Sequence, residues 1–307
     1  MVSKDRISGT LIEFETLVHI YITKKHQRTA EIPMDYLKRL PRLPPRERAV
    51  QVAVVTGAST AALGALVWCI RDYHAFLALG PGGAPYNVMG WAVVSMLRLF
   101  ALSKRGATQV SDYPTEGAHE DIKNLPNRKG ARADVGGVVP HRQLSQHPPD
   151  EMKPYITNLF RNAVIQNSRL IEERRSLYEK HNSALFVRPD VLANEDPAAP
   201  KPSQTAYTAR GECGHVHPDY SIHLYLSPAD ARHVIEKGWG ERHRLSKPRT
   251  AVVNFEKAHI ASTYILIYGP RDTDEVEVVR TILLNSLRFM TGREDVEAPE
   301  WKVALAS

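Results

Sequence analysis

From Ala49 to Ile70 the chain runs through twenty-two consecutive uncharged residues, AVQVAVVTGASTAALGALVWCI, bounded by Arg48 on one side and Arg71-Asp72 on the other. A helix rises 1.5 Å per residue, so a run of this length crosses a hydrocarbon core of roughly 30 Å. Cleavable signal peptides begin near the first residue, whereas this run starts almost fifty residues in, which predicts a retained single-pass anchor on an endomembrane such as the endoplasmic reticulum. The competing reading is a buried core helix, because the run is rich in Ala, Gly, Ser and Thr and only modestly apolar. Gly57, Ala61 and Ala65 recur every four residues, a spacing that lets two helices approach closely.

Just upstream, Lys38, Arg39, Arg42, Arg46 and Arg48 are offset only by Glu47. Such a cluster favours a cytosolic N-terminus, touches anionic lipid, and places the C-terminal part of the chain across the membrane. A second apolar stretch, Val88 to Leu102, holds Arg98 and is too short to span; it reads as an interfacial or core helix. GPGGAP at residues 80–85 breaks the chain between the two stretches, so together they form a membrane-seated platform.

Charge narrows the class of partner. The net charge of +6 would invite nucleic acid, but ten Lys/Arg against six Asp/Glu in residues 1–50 account for four of those charges. A broad basic footprint is absent, and nucleic acid is not an expected partner. Two cysteines, Cys69 and Cys213, exclude a disulfide framework. No Asn-x-Ser/Thr sequon occurs. Nothing in the sequence specifies an oligomeric state.

The first fifty residues include a short helical pattern around Leu11, Phe14, Leu17, Val18 and Tyr21, then the Pro-punctuated RLPRLPP. Residues 106–148 show no sustained period and read as irregular. A helical pattern returns from Pro149 to His181, with Ile156, Phe160, Val164 and Ile171 on one side, and FVRPDVLANEDPAAPKPSQ reads as the end of a strand and an exposed loop. The C-terminal third is the clearest. SIHLYL (221–226) alternates as a strand; Ser227-Pro228-Ala229-Asp230 starts a helix that Gly238 ends. TYILIY (263–268) reads as a central strand. Asp272 and Glu275 resemble a capping box ahead of the stripe Val276, Val279, Leu283, Leu287 and Met290, which stops at Gly292. The expected fold class is α+β, a compact mixed sheet with packed helices, preceded by an N-terminal transmembrane helix. The expected organisation is an extension (1–48), the anchor (49–70), a membrane-proximal helical segment (71–105), the α+β domain (106–295) and a tail (296–307).

Residues 214–243, GHVHPDYSIHLYLSPADARHVIEKGWGERH, hold five of the thirteen histidines. If residues 218–220 form a three-residue hairpin loop, His217 faces Ser221 and His215 faces His223. Cross-strand partners share a face, as do residues two apart, so His215, His217 and His223 converge. Three neutral imidazoles in that array suit a metal ion. They suit equally a pocket in which one imidazole takes a proton and others hold an oxyanion. A solvated sheet face is the third reading. Glu212, Asp219 and Glu241 are nearby carboxylates, none with a forced position. In GWGERH, Trp239 offers a flat wall for an aromatic ligand and His243 lies beyond the turn, while core packing accounts for Trp239 equally well. His233 falls within the helix, on its outer face. In YGPRDTDE, Tyr268 and Arg271 sit where a strand hands over to a helix, a common place for a pocket, although an ion pair to the acidic helix start also explains Arg271. The chain lacks a Walker loop, GxGxxG after a strand, GxSxG, HExxH and a CxxC pair.

Taken with RDYHAFLALGPGGAPYNVMGW, LPNRKGAR, HVHPDYSIHLYLS, VIEKGWGERH, YILIYGPRDTDEVEVV and SLRFMTG, the chain resembles the fungal luciferases and their luciferase-domain relatives over about three quarters of its length. The resemblance implies a membrane-associated oxidoreductase that oxidises a 3-hydroxy-α-pyrone, 3-hydroxyhispidin, with O2 through a cyclic peroxide that loses CO2. No dissociable organic cofactor is implied, and a metal ion on His215, His217 and His223 stays open beside an acid–base role. The matched positions His215, His217, His223, His243 and Arg271 are the candidate catalytic residues, and Trp239, Tyr225 and Tyr268 the candidate substrate contacts. A neutral histidine suits deprotonation of an enolic pyrone, Arg271 suits its oxyanion, and Trp239 or Tyr225 suits the styryl-pyrone plane. The other reading is a non-luminescent homologue that binds a ligand at the membrane or acts on another phenolic substrate. The extension before residue 50 is longer than the resemblance leads one to expect, and Met34 is a second candidate start.

Overall fold

The computed structural model describes residues 45–306. The N-terminal helical pattern, most of the basic cluster and Met34 lie outside the described residues. The first described element is α1, Pro45–Ala78. Residues 46–78 form the one described helix long and apolar enough to cross a membrane, with a mean hydropathy of 1.8 over its best window. The competing core-helix expectation required burial of this run, but Leu63, Leu66 and Trp68 are 62%, 56% and 61% exposed. The chain divides between Val67 and Trp68, and the unit that follows, the second, is compact.

The second unit is built on a six-stranded sheet. Its strands are β3 (Ile171–Arg175), β4 (Ser183–Val187), β5 (Glu212–Val216), β6 (Ile222–Tyr225), β7 (Gly240–Arg242) and β8 (Tyr264–Ile267). They lie in the order β3-β4-β5-β6-β8-β7, and every pairing is antiparallel. A separate ribbon pairs β1 (Val135–Gly137) with β2 (His141–Gln143). The larger helices after α1 are α2 (Val88–Arg98), α3 (Lys153–Gln166), α4 (Pro228–Glu236) and α5 (Thr273–Thr291). This is the α+β class that the sequence predicts.

Local chemistry explains these boundaries. The Ser227 hydroxyl accepts from the Asp230 N–H at 3.1 Å and Pro228 follows it, so α4 begins with a satisfied cap. Asp272 caps α5 in the same way through the Glu275 N–H at 2.8 Å, and Gly292 ends that helix at φ +69°, where a side chain would be strained. The expected stripe Val276, Val279, Leu283, Leu287 and Met290 is fully buried, in one apolar cluster with Ile222, Leu224, Ile265 and Ile267. Each such side chain stabilises the fold by about 1.5–3 kcal/mol through the apolar area it removes from water.

Two expectations change. The helical pattern from Pro149 stops at Gln166, and Ile171, which fitted its stripe, begins β3 instead. The Asn167 side chain donates to the Ala163 and Glu297 carbonyls at 3.0 Å, satisfying the helix end and turning the chain toward the sheet. Residues 106–148, expected to be irregular, contain the β1-β2 ribbon, whose Gln143 accepts from the Gly269 N–H at 2.8 Å. The segment after residue 295 packs as well: Trp301 is 6% exposed and its indole N–H donates to Glu277 at 2.8 Å.

Candidate active site

One face of the sheet is apolar and helix-covered; the other carries imidazoles and phenols. Strand alternation produces this division, because Ile222 and Leu224 point one way and His223 and Tyr225 the other. In the β5-β6 hairpin His215 stands opposite His223. His217 closes it, donating its backbone N–H to the Ser221 carbonyl at 2.9 Å. The loop is Pro218–Tyr220, with Tyr220 at φ +62°, a three-residue hairpin geometry. Gly214 is required there: a Cβ would stand 2.1 Å from the His223 carbonyl oxygen.

β8 then sets Leu266 opposite His223 and Tyr264 opposite Tyr225, and the His243 N–H donates to the Tyr264 carbonyl at 2.8 Å. The rings of His217 and His223 lie 4.5 Å apart between centroids, those of His215 and His217 5.1 Å, and those of His223 and His243 5.2 Å. All four imidazoles are buried. The convergence expected from the hairpin register is present, and the solvated-face reading does not describe it.

A fifth histidine joins them. His141 of β2 is 1% exposed, stacks on His223 at 5.5 Å between centroids, and places its Nδ1 3.3 Å from the His223 Nε2. Tyr264 lies 4.5 Å from His223 on one side and stacks at 4.5 Å on Tyr225 on the other. The Tyr225 hydroxyl meets that of Tyr178 at 2.8 Å. His141, His223, His243, Tyr178 and Tyr264 line a cavity of about 200 Å³, roofed by Val138–Pro140 and Leu177–Lys180.

Hydrogen bonds fix two of the tautomers. Glu212 is fully buried and accepts from the Ser176 hydroxyl at 2.8 Å, the Leu177 N–H at 2.7 Å and His215 Nδ1 at 2.8 Å. His215 therefore carries its proton on Nδ1. The Ser221 hydroxyl gives its one proton to Asp219 at 2.6 Å, so it accepts from His217 Nδ1 at 2.8 Å. Both residues turn an Nε2 lone pair inward, and neither Nε2 has a hydrogen-bond partner among the described residues. His141 Nε2 and the Tyr264 hydroxyl are buried and unpartnered in the same way. His243 differs: its Nδ1 accepts from the Leu245 N–H at 3.1 Å.

Burial governs protonation here, because removing a charged imidazole from water disfavours it. Desolvation, reinforced by neighbouring imidazoles, holds His141, His217 and His223 well below the ordinary histidine value, and lowers His243 to about 3. Burial likewise raises the Tyr225 and Tyr264 phenols well above theirs. Acid should therefore destabilise the fold. An unfolded histidine takes up a proton near pH ~6.5, whereas folded His243 stays neutral down to about pH 3. The stability it contributes is complete above that unfolded value and falls by up to about 1.4 kcal/mol per pH unit below it, with His141 acting in the same direction. Thermal midpoints at about pH 7.5 and 5.5 should show a clear drop at the lower pH.

Of the sequence candidates His223 and His243 line the cavity, His215, His217 and Tyr225 pack against its lining rings, and Trp239, Arg271 and Tyr268 are held elsewhere. Trp239, expected as a ligand wall, is 3% exposed within the apolar core, and its indole N–H donates to the Pro126 carbonyl at 2.7 Å. Core packing fixes it. Arg271, expected to hold an oxyanion, is taken by Glu275, to which its Nε donates at 2.9 Å, and by Gln146 at 3.1 Å. The acidic first turn of α5 competes successfully for that charge. Tyr268 shares the sheet face, but its hydroxyl donates to Glu241 at 2.9 Å, and Glu241 in turn lies 4.0 Å from His141 Nε2. Sequence reasoning misses His141, Glu212 and Tyr264 as site residues. Alternation along 263–268 puts Tyr264 on the face of Tyr268 and so signals it; nothing local signals His141.

A sheet with one helix-covered face and one face of buried imidazoles and phenols around a cavity makes this an α+β domain with a candidate small-molecule site. A luciferase domain model matches residues 210–286, which include every histidine of the wall except His141. The chain is 30% identical to a luciferase of Armillaria mellea over 85% of its own length and 95% of that protein. It is 29% identical to a luciferase of Armillaria ostoyae, covering 80% and 90%, and 28% identical to a luciferase of Neonothopanus nambi, covering 78% and 88%. No solved structure matches. This chain belongs to the fungal luciferase family.

Proposed function

We propose that the protein is a membrane-associated, oxygen-dependent oxidoreductase that oxidises a 3-hydroxy-α-pyrone of the 3-hydroxyhispidin type in the histidine–tyrosine cavity. The observation that carries this reading is a cavity lined by buried, neutral imidazoles, in a family whose relatives are named luciferases. An enolic pyrone reacts with O2 once deprotonated, and His141, which lines the cavity with a buried Nε2 that has no hydrogen-bond partner among the described residues, is placed to take that proton. Lys180, held at the mouth by the Gly83 carbonyl at 2.8 Å, supplies the cation that Arg271 does not. Both atoms of O2 enter the pyrone as a cyclic peroxide. Its O–O bond then breaks as one ring carbon leaves as CO2, so the substrate supplies all the electrons and no external reductant is needed. Burial protects the peroxide from water. The cavity, about 200 Å³, is smaller than the usual ~300–1,000 Å³ ligand pocket, so it suits the pyrone ring with its styryl arm directed along the Tyr225–Tyr264 stack.

Detergent-solubilised protein mixed with 3-hydroxyhispidin should consume O2, release a product lighter by one carbon, and emit light. Tight binding without O2 uptake would instead make the protein a ligand carrier.

The membrane association rests on α1 and on the apolar surface of α2, where Met89 and Met96 are 69% and 61% exposed. A chain truncated to begin at Arg71 keeps Asp72, which receives the Trp91 indole N–H at 2.7 Å, and should fold but lose carbonate-resistant membrane association. Extraction of the full-length protein by carbonate would remove the anchor. Protease protection in sealed microsomes reports which side holds the second unit.

A further inference from the structure

The proposed oxidation takes place at the imidazoles that line the cavity and gives His215 and His217 no direct contact with the substrate. We propose that His215, His217 and His223 bind one divalent first-row transition-metal ion, which would hold the deprotonated pyrone oxygen; its substrate role rests on the function proposed above, the site itself does not. The three residues present one ligand atom each, all within 4.8 Å of one another, and all are buried. Small side-chain rotations would bring these nitrogens to the ~2.0–2.1 Å of metal–imidazole bonds.

The surroundings are those of a ligand set. Metal-bound histidines give their other ring N–H to a carboxylate or to a group that one orients, which fixes tautomer and ring angle. Glu212 does this for His215 at 2.8 Å, and the Ser221–Asp219 relay does it for His217. Glu212 is itself held by Ser176 and Leu177. The consequence is two buried Nε2 lone pairs with no donor among the described residues. Buried polar atoms in native proteins nearly always have partners, and a cation is one that satisfies both at once. A second trio, His141, His223 and His243, is also close enough. It is the weaker set, because the Leu245 N–H occupies the Nδ1 lone pair of His243 and leaves its proton on Nε2. Three neutral nitrogens suit Zn²⁺, Fe²⁺ or Cu²⁺ rather than Mg²⁺ or Ca²⁺, which prefer oxygen.

Full-length protein in detergent, stripped with a chelator and dialysed, is titrated with Zn²⁺ alone by calorimetry, and then with Co²⁺ while its visible absorption is recorded. About one ion per chain is expected. H215Q and H217Q, which preserve volume, should each weaken binding by at least ~100-fold, E212Q by about 10- to 100-fold, and His233→Ala not at all. Circular dichroism establishes that each variant is folded, and a variant that unfolds is replaced by the asparagine substitution at the same position. A folded wild-type chain that binds no ion, or one that binds it equally well after H215Q and H217Q, overturns the proposal. Failure of the two readings is separable: O2 uptake by metal-free protein removes the ion's substrate role and keeps the oxidation, whereas stoichiometric metal without pyrone turnover keeps the site and removes the oxidation.

Discussion

Replacing His215, His217 or His223 singly with alanine is expected to lower pyrone-dependent oxygen uptake by about 10²- to 10⁴-fold, the usual loss for a positioned acid, base or charge-stabilising group. The three buried rings pack against one another, so each also holds its neighbours in place. His223 should be the most sensitive, since it alone meets the cavity, His141 and the other two rings at once. His233→Ala serves as the comparison: it is half-buried on α4, outside the cavity lining, and should leave turnover within about twofold, as is usual for such positions. Full activity in all three folded variants would show that the wall is structural.

The largest expected effect on stability lies beside the cavity, at Arg142→Ala. Arg142 and Glu179 are each 4% exposed, and the guanidinium donates to one carboxylate oxygen at 3.0 Å and reaches the second as well. Its remaining N–H groups bond the His141 and Pro81 carbonyls at 3.2 and 3.0 Å. Removing one partner of a buried pair leaves an uncompensated charge and costs about 3–5 kcal/mol, whereas replacing both by apolar residues of similar size is often close to neutral. Arg142→Ala should therefore lower the chemical-denaturation midpoint strongly, and Arg142→Met with Glu179→Leu should recover much of the loss. Because Glu179 belongs to the roof over His141 and Tyr264, the single substitution should also reduce turnover at temperatures where the chain is still folded. Equal midpoints for the single variant and the wild type would mean that the pair is solvated.

Much of this site is legible in the sequence. A period of two and a three-residue loop were sufficient to set His215 opposite His223 and His217 opposite Ser221, because pairing across a tight hairpin is decided by backbone geometry between near neighbours. The caps at Ser227 and Asp272 and the stop at Gly292 were legible for the same reason: each is closed by groups a few residues away. The apolar length of residues 49–70 likewise carries its meaning within one segment.

What only the tertiary structure decided is set by partners distant in sequence. His141 meets His223 across 82 residues of separation, and no pattern around His141 announces that contact. Glu212, Asp219 and Glu241 were equivalent as nearby carboxylates until folding fixed Glu212 under Ser176 and Leu177 and so aimed His215. Trp239 and Arg271 were credible site residues by type and position. Folding assigned the first to the Pro126 carbonyl, 113 residues away, and the second to Glu275, one helical turn on, since a buried indole N–H and a half-buried guanidinium must each find a partner and took the nearest competent one. Sequence periodicity thus determined which face the histidines share, and the long-range hydrogen bonds decided which of their nitrogens remain available for chemistry.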